Sequence, residues 1–515
     1  MKEKKNMKKI SIILMAVLTL GLTSCDLEQL PYNSIPDTEA LQNPTDFANM
    51  RVGLYSSLRG MNSGDSFINA TELMTDGFNG VVGWSNTLGL IHRWQVNAQD
   101  GTFESVYSSY QGLIARANYI IQGASKLDIT EKGGFKEADS LSAILTVGES
   151  YFIRAYCLFN LAQFFCADYE AATASEPNSG VSYSLVYAPT SDASKYPGRY
   201  TLAQTYEQIK SDLVEARKRV YTKGGTSLGY VTDDVITALE ARVALAMDDY
   251  ATAAAKATEL IKNGRYMLAG DAESINALWV SDGSGEAIWM IPTPSGTQNE
   301  LSGQTGLRYQ PYTAGSTPDF IPTQELIDIF SDKDMRFNTY FLKSTLTTTN
   351  GVTADVYTFN KYPDHTGIYE AQSGESYRFR YQPKVFRIAE MYLIAAEAYA
   401  KSGDLGQASL YLNELEANRI EDFQERNYNS VDGFMTELKL ERRRELLGEG
   451  MRLFDLKRWH EGFTRGTPQQ MNICVFPGSN ATTAMKVDAN NNRLVWPIPQ
   501  SEMDSNPQMV QNPGY

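Results

Sequence analysis

The sequence predicts a mainly α-helical protein in which paired helices form a scaffold and long loops form an irregular second part. Most periodic segments place apolar residues at i, i+3, i+4 and i+7, which is one face of a helix. These segments cover 103–121, 148–165, 200–220, 231–247, 387–400 and 431–447. The stretches between them are rich in Gly, Pro, Ser, Thr, Asn and Tyr and predict loops with small strands. They cover 79–97, 168–198, 295–318 and 345–384.

Length and charge narrow the class of protein. A chain of 515 residues, 42% of them hydrophobic, is long enough for several domains or one array of repeated units. Its 61 acidic residues exceed its 46 basic residues, giving a net charge of −15. Because nucleic-acid affinity depends on Lys and Arg displacing counterions from phosphates, this charge argues against a nucleic-acid partner.

The N-terminus predicts secretion and a lipid anchor. Positions 2 to 9 carry five lysines, and 10–22 form an apolar stretch too short to cross a bilayer. The sequence Leu-Thr-Ser-Cys at 22–25 resembles the bacterial lipobox, whose Cys becomes the acylated first residue of the mature chain. We therefore expect a signal peptide over 1–24, lipidation such as palmitate on Cys25, and a proline-containing tether over 25–44.

The other three cysteines are expected to be free. Cys157 and Cys166 lie nine residues apart in one predicted helix, which separates their Cα atoms by about 13 Å. A disulfide needs Cα atoms within about 7 Å, so these two cannot pair. Together with Cys474 they are predicted to be buried hydrophobic side chains.

Two windows match each other as helix pairs. In 241–261 and in 396–416, an Asp followed by a bulky residue has Ala eight positions before it and four after it. The matching residues are Ala241, Asp249 and Ala253 in the first window, and Ala396, Asp404 and Ala408 in the second. Small residues at fixed positions allow close approach of paired helices, as in tetratricopeptide repeats.

Catalytic and cofactor motifs find little support. Gly225 to Gly229 reads G-T-S-L-G, the nucleophile-elbow pattern, but a charged helix end precedes it where that pattern requires a strand. His92, His365 and His460 are far apart and lack the spacing of zinc ligands. There is no phosphate-binding or dinucleotide-binding glycine motif. The sequence therefore predicts no enzyme, no cofactor and no metal site.

Glu441 and Glu445 lie on one helix face and could be read as a catalytic pair. Three arginines stand between them, at positions 442 to 444. Such neighbours lower carboxyl pKa values, whereas a catalytic acid in glycoside cleavage needs a raised one. We therefore predict ion pairs at these positions.

The most specific pattern is at the C-terminus. Residues 441–459 read ERRRELLGEGMRLFDLKRW, followed by WPIP at 496–499 and NPGY at 512–515. These motifs resemble the SusD/RagB family, the surface-exposed nutrient-binding lipoproteins of Bacteroidetes. Further segments resemble family blocks in the same order, at 117–118, 152–156, 241–242, 322–336 and 389–399.

The resemblance implies about four tetratricopeptide-type helix pairs in a right-handed superhelical scaffold, with an irregular loop-rich subdomain. A SusD-like N-terminal region over 45–230 and a RagB/SusD C-terminal region over 231–515 would form one compact body. It also implies an outer-membrane lipoprotein without catalysis, exposed on the cell surface. Such a protein captures glycans as a hinged lid and delivers them to a SusC-like TonB-dependent transporter. A peptide or glycopeptide binder is the alternative within the family, and a surface hydrolase is a third.

Ligand sites in this family use aromatic platforms that stack on sugar rings, with amides and Arg bonding the hydroxyl groups. Two loops offer this mixture. One contributes Asn79, Trp84 and Asn86, and the other contributes Arg308, Tyr309, Gln310 and Tyr312. Trp279, Trp289, Trp459 and Trp496 are expected in the core, while Trp94 fits either place.

Overall fold

The structure is a computed structural model that describes residues 40–62, 65–83, 88–225, 229–283, 285–292, 318–362, 382–475 and 485–515. Within these ranges the α-helices are α1 (Pro44–Met61), α2 (Ala70–Leu73), α3 (Gly89–His92), α4 (Gly101–Lys126), α5 (Glu137–Phe165), α6 (Leu202–Arg217), α7 (Asp233–Ala246), α8 (Tyr250–Lys262), α9 (Ala272–Val280), α10 (Gln324–Asp328), α11 (Phe337–Tyr340), α12 (Ile388–Lys401), α13 (Leu405–Ala417), α14 (Val431–Glu445), α15 (Arg452–Arg458) and α16 (Gln500–Ser505). The strands are β1 (Phe78–Val81), β2 (Ala287–Met290), β3 (Phe320–Pro322), β4 (Phe341–Thr347), β5 (Thr353–Phe359), β6 (Lys384–Arg387), β7 (Phe463–Thr464), β8 (Cys474–Val475) and β9 (Lys486–Val487).

The long helices form a continuous scaffold. Each packs on the next in the series α4, α5, α6, α7, α8, α12, α13 and α14, and α1 packs across α4 and α5. The mainly α-helical prediction is confirmed. Among the described residues, no helix combines the length and the apolar character that a membrane span requires.

The two matching windows form helix hairpins that pack on each other, α7 with α8 and α12 with α13. Asp249 and Asp404 cap the second helix of each pair, because their side chains accept the backbone N–H three residues further on, at 3.1 and 3.0 Å. The residue before each cap has positive φ, 56° at Asp248 and 86° at Gly403. All four matched alanines are fully buried. The repeated pattern therefore encodes the turn and the close contact of each pair.

The strands are short and antiparallel. They form one three-stranded sheet in the order β3-β1-β8 and three two-stranded sheets, β2-β6, β4-β5 and β7-β9. The β4-β5 hairpin pairs Phe341 with Phe359 and Thr347 with Thr353. Of these strands, β5 lies wholly within the segments for which the sequence predicts loops with small strands, and β1 and β4 lie partly within them. The strands β2, β7, β8 and β9 lie outside those segments, so the sequence did not predict them.

Among the described residues, one large hydrophobic core runs through the scaffold, with contributions from both sides of residue 230. Two smaller cores lie under the irregular part. Trp279, Trp289 and Trp496 are fully buried, as expected, and Trp94 is also buried. Trp459 is only half-buried and donates its indole N–H to Glu397 Oε1 at 2.8 Å.

Cys157, Cys166 and Cys474 are free and buried, which confirms the prediction. The G-T-S-L-G pattern lies between α6 and α7, and its Ser227 is outside the described residues. The signal peptide, Cys25, most of the tether and His365 also lie outside them.

Candidate functional site

The two predicted ligand loops attach to the same edge of one sheet. Because β1 and β3 are antiparallel, the end of β1 at Val81 lies beside the start of β3 at Phe320. The Val81 N–H donates to the Asp319 carbonyl at 2.9 Å. We call this end of the sheet the loop edge. Residues 84–87 follow β1 there, and residues 293–317 precede β3 there.

Six of the seven predicted ligand residues lie in those two segments, outside the described residues. They are Trp84, Asn86, Arg308, Tyr309, Gln310 and Tyr312. Although the two groups are more than 200 positions apart in sequence, both segments join the sheet at the loop edge.

The seventh residue, Asn79, has a structural position. Only 2% of its surface is exposed, and its Nδ2 donates to the Gly466 carbonyl at 3.1 Å. It lies opposite Ile321 in the middle of β1, whose four residues are all buried. The assignment of Asn79 to the ligand site is therefore corrected: its amide holds the strand in place.

The loop edge is closely packed. The Val82 N–H donates to the Ile473 carbonyl at 2.8 Å, which extends the contact with the β8 side of the sheet. Gly83 follows with φ of 96°, and a Cβ atom there would lie 2.5 Å from the side chain of Thr349 in the β4-β5 turn. Glycine is thus needed where the first loop leaves the sheet.

Arg465 fixes the chain on both sides of β1. Its buried guanidinium donates to the carbonyls of Leu73, Thr75 and His92 at 2.8, 3.1 and 2.7 Å. Burial lowers the pKa of this arginine to about 9, because few opposite charges compensate the lost hydration. Without Arg465, each of the three carbonyls would lose one strong hydrogen-bond donor.

Asp76, two residues before β1, connects the start of this strand to the C-terminal motif. Its Oδ2 lies 3.4 Å from Arg443 Nη2 and 3.0 Å from Arg452 Nη2. Burial alone would raise the pKa of Asp76, but the two arginines outweigh it and hold the pKa at about 2. The sequence identified the motif but not this partner, which is 376 positions from Arg452.

The paired carboxylates of α14 belong to a buried ion network. Arg336 Nη1 lies 2.5 Å from Glu441 and 2.8 Å from Glu445, while Arg387 and Arg419 reach Glu445 at 2.7 and 2.9 Å. Burial alone would raise the pKa of Glu445, but Arg419, Arg387 and Arg336 hold it well below its usual range. A general acid for glycoside cleavage needs the opposite shift. The ion-pair prediction is confirmed.

One group of potential metal donors occurs among the described residues. His460 Nε2 lies 3.5 Å from Asp168 Oδ2 and 3.8 Å from Glu170 Oε1. The sequence does not predict this group, because Asp168 and Glu170 lie far from His460 along the chain, in the α5-α6 connection. His460 and Glu170 are exposed, so these contacts lie at the protein surface.

The paired helices and the small sheets define a helical-repeat protein with an irregular, loop-rich part. Family models then identify it. The model described as the SusD family matches residues 334–515, and one described as starch-binding associating with outer membrane matches 27–224. The chain belongs to the SusD/RagB family.

Solved structures agree with this family. A SusD superfamily protein from Bacteroides thetaiotaomicron is 26% identical, with a TM-score of 0.74, covering 92% of this chain and 100% of its own. A SusD superfamily protein from Bacteroides vulgatus is 22% identical, with a TM-score of 0.73 and coverages of 92% and 99%. A SusD-like carbohydrate binding protein from Bacteroides vulgatus is 18% identical, with a TM-score of 0.70 and coverages of 91% and 97%. No curated protein matches the chain in sequence.

Proposed function

We propose that this protein is a cell-surface lipoprotein that captures an oligo- or polysaccharide and delivers it to a SusC-like TonB-dependent transporter. The observation that carries the proposal is the attachment of both aromatic loops to one sheet edge. Membership of a family with a starch-binding, outer-membrane description supports the ligand class and the location.

Capture would use the chemistry of the two loops. Trp84, Tyr309 and Tyr312 would offer ring faces to the apolar faces of sugar rings. Asn86, Gln310 and Arg308 would bond the hydroxyl groups and fix the orientation. The closely packed loop edge would limit the ordering cost at the ends of both loops.

The state of the paired carboxylates supports binding without catalysis. Glu441 and Glu445 are buried and ion-paired, so neither is suited to protonate a glycosidic oxygen. Acyl chains on Cys25 would hold the protein at the outer membrane, and the tether over 25–44 would let the body open and close over the barrel.

Native affinity electrophoresis of residues 26–515 tests the proposal, with gels that contain plant, fungal or host glycans. We expect one glycan to retard the wild type and Trp84→Ala to weaken that retardation at least about tenfold. Tyr221→Ala, which removes an exposed aromatic ring on the α6-α7 connection, is the matched control and should migrate as the wild type.

One outcome would contradict the glycan assignment, and another would contradict the absence of catalysis. If no glycan slows the migration of the wild type, peptide capture becomes the better-supported hypothesis. Peptide capture depends on backbone hydrogen bonding more than on ring stacking. Sustained release of reducing ends from a polysaccharide would establish a hydrolase instead.

The partner is tested separately by mild detergent extraction. We expect this chain to co-purify with a large β-barrel transporter. Repeated recovery of the chain without any barrel protein would refute the delivery step.

A further inference from the structure

An open groove lies between the α5-α6 connection and the first turns of α6. Tyr183 and Tyr200 stack there, with ring centroids 4.4 Å apart and planes at 28°. Together with one face of α6 they line a groove of about 770 Å³, which we call the tyrosine groove. This volume lies in the range of small-molecule sites.

The stacking follows from a short strand pairing. Ser182 and Arg199 form an isolated antiparallel bridge, so their chain neighbours Tyr183 and Tyr200 point to the opposite face as diagonal partners. Backbone bonds fix Tyr200 from both sides, because its N–H donates to Val181 at 3.1 Å and its carbonyl accepts from Gly180 at 2.9 Å. Tyr183 is buried beneath, while 38% of the Tyr200 surface is exposed.

The bridge is anchored to the protein body. Arg199 Nε donates to the Gly180 carbonyl at 2.8 Å, and its Nη1 donates to Asn512 Oδ1 at 2.7 Å. Asn512 Nδ2 in turn donates to the carbonyls of Phe165 and Trp496 at 2.8 and 2.7 Å. The exposed ring of Tyr200 is therefore held in place before any ligand arrives, which reduces the entropy cost of binding.

Polar groups line the other wall. Gln204, Gln208 and Ser211 follow each other at i, i+4 and i+7 on α6 and face the groove together. Gln208 uses one N–H for Asp212 Oδ1 at 2.9 Å, which leaves its amide oxygen for a ligand hydroxyl. Among the described lining residues, Glu207 is the one charged side chain, and Lys210 pairs with it at 2.5 Å. The groove thus favours a neutral ligand with many hydroxyl groups.

We propose that the tyrosine groove is a second carbohydrate-binding site, which takes a neutral pyranose unit of a glycan on the exposed face of Tyr200. The inference rests on the proposed function, because the same glycan would occupy the loop edge. Two sites on one protein raise the avidity for a polymer without any new contact at the first site.

The test uses residues 26–515 in affinity gels that contain amylopectin, galactomannan or yeast mannan. The variants are Tyr200→Ala, Tyr200→Phe, Trp84→Ala and the double variant with Trp84→Ala and Tyr200→Ala. Circular dichroism melts check that each variant folds. We expect Tyr200→Ala to weaken retention about tenfold, Tyr200→Phe to keep it, and the double variant to lose the retention that Trp84→Ala still has.

Each other result overturns the inference in a recognisable way. Equal retention of Tyr200→Ala and wild type would remove the second site and leave the loop edge intact. Wild-type protein that none of the glycans retains would defeat both proposals at once. Unchanged glycan retention together with loss of the co-purifying barrel transporter in Tyr200→Ala would make the groove a protein-contact surface.

Discussion

Glu72 shows how a single buried group sets a pH response. It lies in α2, before the start of β1, and accepts the Gly450 N–H at 2.8 Å. Burial raises its pKa to about 7, against about 4.3 in an unfolded chain. The folded state therefore holds this proton more tightly, and the stabilisation that Glu72 provides below pH 4.3 is lost as pH rises through 7.

Glu72→Gln should remove that loss, because glutamine stays neutral and still accepts the Gly450 N–H. The free energy of unfolding should match the wild type near pH 4 and exceed it by about 3 kcal/mol at pH 8. Urea titrations at the two pH values measure this difference. A variant that is less stable than wild type at pH 8 would show that the Glu72 charge is needed.

Arg465 links stability to the site. Arg465→Met would leave three buried carbonyls short of a donor, at about 1 kcal/mol or more each, so we expect a loss of at least about 3 kcal/mol in the free energy of unfolding. Because these carbonyls flank β1, glycan retention at the loop edge should also weaken. Arg493→Met, at a half-buried arginine near the C-terminus, is the control. A fully stable Arg465→Met variant would contradict this role.

At the scale of elements, the helix-pair pattern is the clearest link between sequence and structure. The spacing of Asp249 and Asp404 from the matched alanines predicts paired helices. Both Asp side chains cap helices that pack in pairs. Periodicity predicted these helices because the signal is local: the apolar face, the cap and the turn all lie within about 20 residues.

Asp404→Ala should lower the free energy of unfolding by about 1 kcal/mol, since it removes the acceptor for the Gln407 N–H. Asp404→Asn should retain most of the stability, because the amide oxygen can still accept that hydrogen bond. Chemical denaturation compares the two variants. Equal stability of Asp404→Ala and wild type would mean that the cap contributes nothing.

The strands make contacts that could not be predicted from the sequence. Asn79 lies in a polar, loop-like stretch, yet β1 is buried on both faces because β3 and β8 flank it and a β4-β5 contact covers its end. Partners of this kind come from positions hundreds of residues away, as do Asp76 and Arg452. No local pattern encodes such contacts, so the sequence predicts loops and the charged C-terminal motif but not the distant partners that hold β1 in place.

At the scale of the whole molecule, the N-terminus predicts where the protein works. Cys25→Ala removes the thiol that would be acylated, so we expect the chain to move from the membrane fraction to the soluble periplasmic or secreted fraction. Fractionation followed by immunoblotting measures the change. Cys474→Ala, at a buried free thiol in the body, should stay with the membrane. Membrane retention of Cys25→Ala would argue against a lipid anchor.

The central claim is that two loops, distant in sequence, form one glycan site at the loop edge. Hydrogen exchange of residues 26–515, with and without the glycan that gives the strongest gel retardation, tests this most directly. We predict that peptides spanning 82–87 and 308–319 both gain protection, and that Trp84→Ala abolishes the gain in both. Bound glycan that protects neither segment would contradict the claim.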